Sequence, residues 1–100
     1  MAASDNCIFR KGRFIILRVG HEYIVVNQDK VFKKGHTHVR SFDQAEYLVN
    51  MSIHKRVPNH LSPYMLTSLV RLTNDDEYAD KIAALLAAKK ERKQKYVNAS

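Results

Sequence analysis

The chain has few of the cysteines that cross-link small secreted domains and few of the glycines that build nucleotide-binding loops. Cys7 is its single cysteine, so neither an intrachain disulfide nor a cysteine zinc cluster can form within one chain. Three glycines, far apart, exclude a glycine-rich phosphate cradle. The longest apolar run, residues 14–17, is far below the roughly 20 residues of a membrane span, and the first residues lack a signal-peptide pattern. We therefore expect a cytoplasmic protein with no membrane segment, cofactor or metal.

Length and composition predict one small domain spanning residues 1–100, with residues 1–6 disordered. The 100 residues are 45% hydrophobic and 27% charged, which is enough apolar surface for a single core. Lys and Arg number 17 against 10 Asp and Glu, giving a formal charge of +7. Such an excess favours an anionic partner without identifying it.

The first forty residues are typical of β-structure. Residues 14–19 and 23–26 are rich in β-branched and aromatic side chains, and Gly20 and His21 separate them as a hairpin turn would. Residues 11–13 separate residues 8–10 from the first of these strands in the same way. The pattern predicts an antiparallel meander of about three strands, followed by at most a short edge strand in residues 31–40, where charge and glycine disfavour pairing.

The rest of the chain predicts three helices. Ser41 with Gln44 forms a capping box, Ser62 precedes Pro63 at a first helical position, and Asn74 with Glu77 forms another potential box. The first helix should end before Pro58, and the second at about Leu72. Runs of strands before runs of helices indicate an α+β fold with the helices packed over one face of the sheet.

Residues 89–100 predict a basic, fraying helix end. The segment 89–95 carries five cations and one carboxylate. Lys, Arg, Glu and Gln favour helix, and cations suit a helix C-terminus. We expect the third helix to continue into this segment as a solvated extension.

Two histidines form the most suggestive local cluster. His36 and His38 are two residues apart, so in an extended strand both side chains project from one face. Such a pair can bind a metal or face a phosphate, but a metal site asks for three or four ligands. The alternatives are contacts with loop backbone or simple exposure to solvent. We retain both as a polar-site hypothesis, with no catalytic residue assigned.

The cations predict a surface for nucleic acid. Phosphate contacts by lysine and arginine would give strong, salt-dependent binding, and Phe9, Tyr23 and Phe32 lie among the strand cations as stacking residues for single strands would. The alternative is that these aromatics belong to the core and the lysines are solvated. The candidate nucleic-acid-binding residues are Arg10, Lys11, Arg13, Lys33, Lys34, Arg40, Lys89, Lys90, Arg92, Lys93 and Lys95.

The sequence favours a basic, non-enzymatic binding or regulatory protein that contacts nucleic acid or a nucleoprotein complex. The short connection between the second and third helices resembles a helix-turn-helix, but acidic residues 75–77 would repel phosphates. A second hypothesis is a protein–protein adaptor anchored by Tyr47, Tyr64 and Tyr96. A third is a nuclease or phosphoesterase centred on the His36 and His38 pair.

Overall fold

A computed structural model of the chain describes residues 6–58 and 60–99, and the side chains among them except those of residues 91–99. It has the predicted α+β architecture, with a sheet followed by three helices. The sheet has four strands that lie side by side in chain order, and each neighbouring pair is antiparallel. Their bounds are β1 Cys7–Lys11, β2 Phe14–Val19, β3 Glu22–Asn27 and β4 His36–Val39.

The sheet has four strands where the sequence predicted a meander of about three. The additional strand, β4, lies within residues 31–40, where the sequence allowed a short edge strand, and it pairs with β3 from Val26 opposite His36 to Tyr23 opposite Val39. The charge and glycine before it do not prevent pairing, because Thr37 and Val39 enter the core side of the sheet and are buried. Packing under this edge therefore outweighs its weak β-propensity.

Glycine sets two of the turns between strands. Gly12 and Gly20 have φ values of 60° and 61°, in the left-handed region that side chains with a Cβ disfavour. Both positions lie in tight turns that join consecutive antiparallel strands. The predicted turn at Gly20 is confirmed.

The three helices are α1 Phe42–His54, α2 Pro63–Leu72 and α3 Asp76–Ala99. The Ser41 and Ser62 hydroxyls accept hydrogen bonds from the backbone N–H of Gln44 and Met65, as N-caps do. Helix α1 ends at Lys55, which adopts a left-handed conformation with φ 53°, before Pro58 as predicted. Helix α3 continues through the basic segment, while the fraying of its end remains a prediction.

The predicted cap of α3 at Asn74 is wrong by one residue. The Asp75 carboxylate accepts the backbone N–H of Tyr78, so Asp75 is the N-cap. The Asn74 side chain instead accepts a hydrogen bond from the Asn27 amide, which is fully buried at the end of β3. The long-range hydrogen bond from Asn27 thus engages the Asn74 side chain, which the local sequence pattern had predicted to cap the helix.

One core lies between the sheet and the helices. It includes Ile16 and Val25 from the central strands, Leu48 from α1, Leu69 from α2 and Ile82 from α3, all fully buried. The helices pack over one face of the sheet, as expected. The opposite face, which we call the outer face, carries a separate apolar cluster: Ile15, Ile24 and Val26, with Cys7 and Leu17 beside it.

Helix α3 turns back against α2 after a connection of three residues. Among its residues up to Lys90, whose side chains the structure describes, the buried ones are Tyr78 and Ile82, near its start. At 1.5 Å per residue, Lys89 lies about 20 Å along the helix axis from Asp76. Within the described residues, no helix combines the length and apolar character that a membrane crossing requires.

Candidate nucleic-acid interface

Two segments distant in sequence meet at one end of the sheet. The β1–β2 turn lies beside the β3–β4 loop, where the Gln28 N–H donates to the Arg13 carbonyl at 2.8 Å. The Arg13 guanidinium lies 3.4 Å from the Asp29 carboxylate. We define the basic end as residues 10–13, residues 28–35 and Arg71. It contains seven Lys or Arg residues and one carboxylate, Asp29.

Helix α2 holds the loop of the basic end in place. The Arg71 guanidinium donates to the carbonyls of His36 at 3.0 Å and Lys33 at 3.1 Å. In return, the Lys30 ammonium donates to the carbonyls of Arg71 and Thr73 at the end of α2. Arg71 and Lys30 thus donate hydrogen bonds to backbone carbonyls in the loop and at the end of α2, so part of the positive charge has a structural role.

Apart from Arg13, which lies beside the Asp29 carboxylate, the other cations of the basic end have no carboxylate partner among the described residues. Arg10 and Lys11 donate at 2.9 Å to the neutral side chains of Gln28 and Asn50. Lys33 and Lys34 are exposed, and neither has an ion-pair partner in the part of the chain that the structure describes. Five of the predicted binding residues, Arg10, Lys11, Arg13, Lys33 and Lys34, are therefore brought to one end of the molecule.

The remaining predicted cations lie elsewhere. Arg40 follows β4 at the opposite end of the sheet and lines a cleft of about 420 Å³ with Glu22, His38 and Tyr64. Lys89 and Lys90 lie on α3, well along the helix from its start beside the basic end. The side chains of Arg92, Lys93 and Lys95 lie outside the described residues. The structure thus divides the predicted surface into separate groups.

The two histidines share one face of β4, as their spacing predicted. Their ring centroids are 5.1 Å apart. The Glu22 carboxylate lies 3.7 Å from Nδ1 of His38, and Nδ1 of His36 lies 2.6 Å from the Phe32 carbonyl oxygen. No group of three or more His, Cys, Asp or Glu side chains suited to a metal ion occurs among the described residues.

Phe32 is exposed, unlike Phe9 and Tyr23, the other two aromatic residues predicted to stack on bases. Phe9 and Tyr23 are half-buried and pack edge-on against Phe42 beside the core. Phe32 is 52% exposed, and its ring lies parallel to the His36 imidazole, with centroids 4.3 Å apart and 6° between the planes. The sequence named the residue but gave no signal of this stack, which depends on how the loop folds.

A row of side chains on the outer face runs from the cations of the basic end to the His36 imidazole. Strand pairing places Arg10, Ile15, Val26 and His36 in one row across β1 to β4. With about 4.8 Å between strands, the row is about 14 Å long. It has a cation at one edge, apolar side chains in the middle and the stacked imidazole at the other edge.

A second cleft borders the basic end. It measures about 630 Å³, and its lining includes Lys11, Arg13, Ser52, Lys55 and Asp75. The Lys55 ammonium donates to the Asp75 carboxylate at 2.7 Å. That hydrogen bond, followed by the one from the Tyr78 N–H, holds the pKa of Asp75 below its usual value. The Asp75 carboxylate is therefore charged at neutral pH, and its hydrogen bond with Lys55 anchors the end of α1 to the start of α3.

The tyrosines proposed as partner anchors have different surroundings. Tyr64 is 57% exposed, with its hydroxyl donating to the His38 carbonyl oxygen. Tyr47 is partly buried against the core, and the Tyr96 side chain lies outside the described residues. Of the two tyrosines whose side chains the structure describes, Tyr64 is thus the one placed as an exposed aromatic contact would require.

No known protein family, curated protein or solved structure matches the chain.

Proposed function

We propose that this protein is a non-enzymatic nucleic-acid-binding protein that contacts phosphates through its basic end, acting in the cytoplasm as a binding or regulatory component. The observation that carries this proposal is the convergence of the β1–β2 turn and the β3–β4 loop. Together with Arg71 they gather seven cations around one carboxylate. A local excess of this size raises the potential that attracts phosphates.

The pairing of the charges supports the same function. Arg10 and Lys11 donate hydrogen bonds to neutral side chains. No carboxylate in these contacts offsets their positive charge, so it can attract a phosphate. Exposed lysines on a loop fixed from below can reach phosphates without reorganising the loop, and Lys33 and Lys34 have these properties. Preorganisation lowers the entropic cost of binding.

The experiment is fluorescence anisotropy with labelled DNA and RNA oligonucleotides over a range of salt concentrations. A phosphate-binding surface gives a linear fall of log K with log salt. K33Q/K34Q should reduce the slope by about 1.5, because each lost phosphate contact removes about 0.7 to 0.9. Absence of binding to both nucleic acids at low salt would overturn the proposal.

K81Q/K90Q is the matched control. It also removes two positive charges from exposed positions, but both lie on α3 and neither belongs to the basic end. If the basic end is the interface, this variant keeps most of the wild-type slope. Equal slopes for the two variants would instead show that overall charge, and not the basic end, governs binding.

A further inference from the structure

We propose that the nucleic acid bound at the basic end is single-stranded and that the stacked pair of Phe32 and His36 is the platform for one of its bases. This inference rests on the proposed function and specifies its ligand. A single strand presents the faces of its bases, whereas a duplex keeps them stacked inside. An accessible aromatic face beside cations therefore selects between them.

Phe32 is exposed, whereas the other three phenylalanines of the chain are buried or packed against the core. Phe14 is buried, and Phe9 and Phe42 pack together beside the core. Phe32 and its neighbour Val31 are 52% and 72% exposed. Two adjacent large apolar side chains on a loop contribute little to the core, so their position favours contact with a ligand.

The loop holds the Phe32 ring in a fixed position. The N–H groups of Lys34 and Gly35 both donate to the Val31 carbonyl at 2.9 Å, closing a helical turn around the phenylalanine. The His36 imidazole covers one side of the ring at 4.3 Å. The Arg71 bonds to the backbone at positions 33 and 36 fix the loop to α2.

This arrangement suits a base and its phosphates together. His36 covers one face of the Phe32 ring, and we assign the base to the other face, since Phe32 is 52% exposed. Lys33 and Lys34 directly follow the ring in sequence, and both are exposed. Arg10 lies in the same row of the outer face as His36. Stacking on aromatic rings beside a cationic path is the general means by which proteins bind single strands.

The first experiment compares a labelled oligothymidine with a duplex of the same length by anisotropy. The wild-type protein should bind the single strand more tightly. F32L keeps apolar volume but removes the aromatic face, and should weaken single-strand binding by about 5- to 150-fold, the range for loss of one base–aromatic stack. The salt slope should stay unchanged, because no phosphate contact is lost. Circular dichroism of F32L should match that of the wild type, because the substituted side chain is exposed.

The second experiment uses the absence of tryptophan from the chain. F32W introduces a single indole at the platform, which should retain affinity and lose fluorescence when a base stacks on it. Y64W places a single indole at another exposed aromatic position, 57% exposed, and its fluorescence should change little with bound oligonucleotide.

The outcomes separate the two proposals. Equal binding of single strand and duplex, with F32L like wild type, would overturn the platform and leave the phosphate-binding basic end standing. Binding to neither nucleic acid would remove both proposals. Quenching in F32W but not in Y64W, with the loss in F32L, would establish the platform.

Discussion

Two buried serines on neighbouring helices should respond to alanine with opposite signs. Ser52 on α1 and Ser68 on α2 are 5% and 2% exposed. The Ser68 hydroxyl lies 2.7 Å from the Thr37 hydroxyl and 3.0 Å from the Tyr64 carbonyl. The Ser52 hydroxyl has no hydrogen-bond partner among the described groups. The same substitution thus removes a satisfied group in one helix and an unsatisfied group in the other.

S52A should stabilise the protein by about 1 kcal/mol. An unsatisfied buried polar group costs about 1 to 3 kcal/mol, which its removal recovers in part. Alanine is also the better helix former by about 0.5 kcal/mol. A void of about 10 Å³ left by the oxygen costs only about 0.2 kcal/mol. For 100 residues the expected rise in Tm is about 4 to 8 °C.

S68A should destabilise the protein by about 1 to 2 kcal/mol, because the buried Thr37 hydroxyl loses its partner. The double variant T37V/S68A replaces both hydroxyls by apolar groups and should recover most of that loss. Urea unfolding and thermal scans measure all three variants. If S52A destabilised the protein as much as S68A, the Ser52 hydroxyl would be bonded in solution and the reasoning would be refuted.

Three further predictions concern buried residues. Burial, followed by repulsion from a nearby tyrosine, raises the pKa of Tyr78 to about 12. Its neutral form therefore stabilises the fold fully below its unfolded pKa of about 10, and this contribution is lost as pH rises through 12; urea unfolding from about pH 9 to about pH 12 should show a shallower decline for Y78F. N27D replaces the amide that donates to the Leu72 carbonyl at 2.7 Å with a buried carboxylate. We expect the free energy of unfolding to fall by about 3 kcal/mol, measured in urea at neutral pH. A fall of less than about 1 kcal/mol would contradict this prediction. G35A places a Cβ 2.6 Å from Cβ of Lys30, so we expect a lower Tm and a loss of about 1 to 3 kcal/mol; an unchanged Tm would show that the loop yields freely.

Local patterns predicted much of the fold. The Ser41 and Ser62 caps depend on side chains that reach a backbone N–H three residues away, a distance that the sequence itself fixes. The turn at Gly20 follows from the conformational freedom of glycine. The end of α1 before Pro58 likewise reflects restrictions within a few residues. Such features were predictable because their physical causes are local.

The candidate site was predictable only in part. The spacing of His36 and His38 placed both on one face of a strand, since side chains alternate along a strand whatever surrounds it. The stack of Phe32 on His36 depends on a loop closed by its own hydrogen bonds and held by Arg71. The cap at Asp75 was missed because Asn27, from a distant strand, engages Asn74.

The sequence by itself determined the charge of +7, the order of strands before helices, and the caps and turns that delimit most of them. Each of these is a property of composition or of residues a few positions apart. Tertiary structure alone decided which cations meet, because strand pairing brings residues 10–13 beside residues 28–35. Helix direction carries Lys89 and Lys90 away from them. The overall charge thus became a local feature, since the potential that a phosphate meets depends on distances in space and not on separations in sequence.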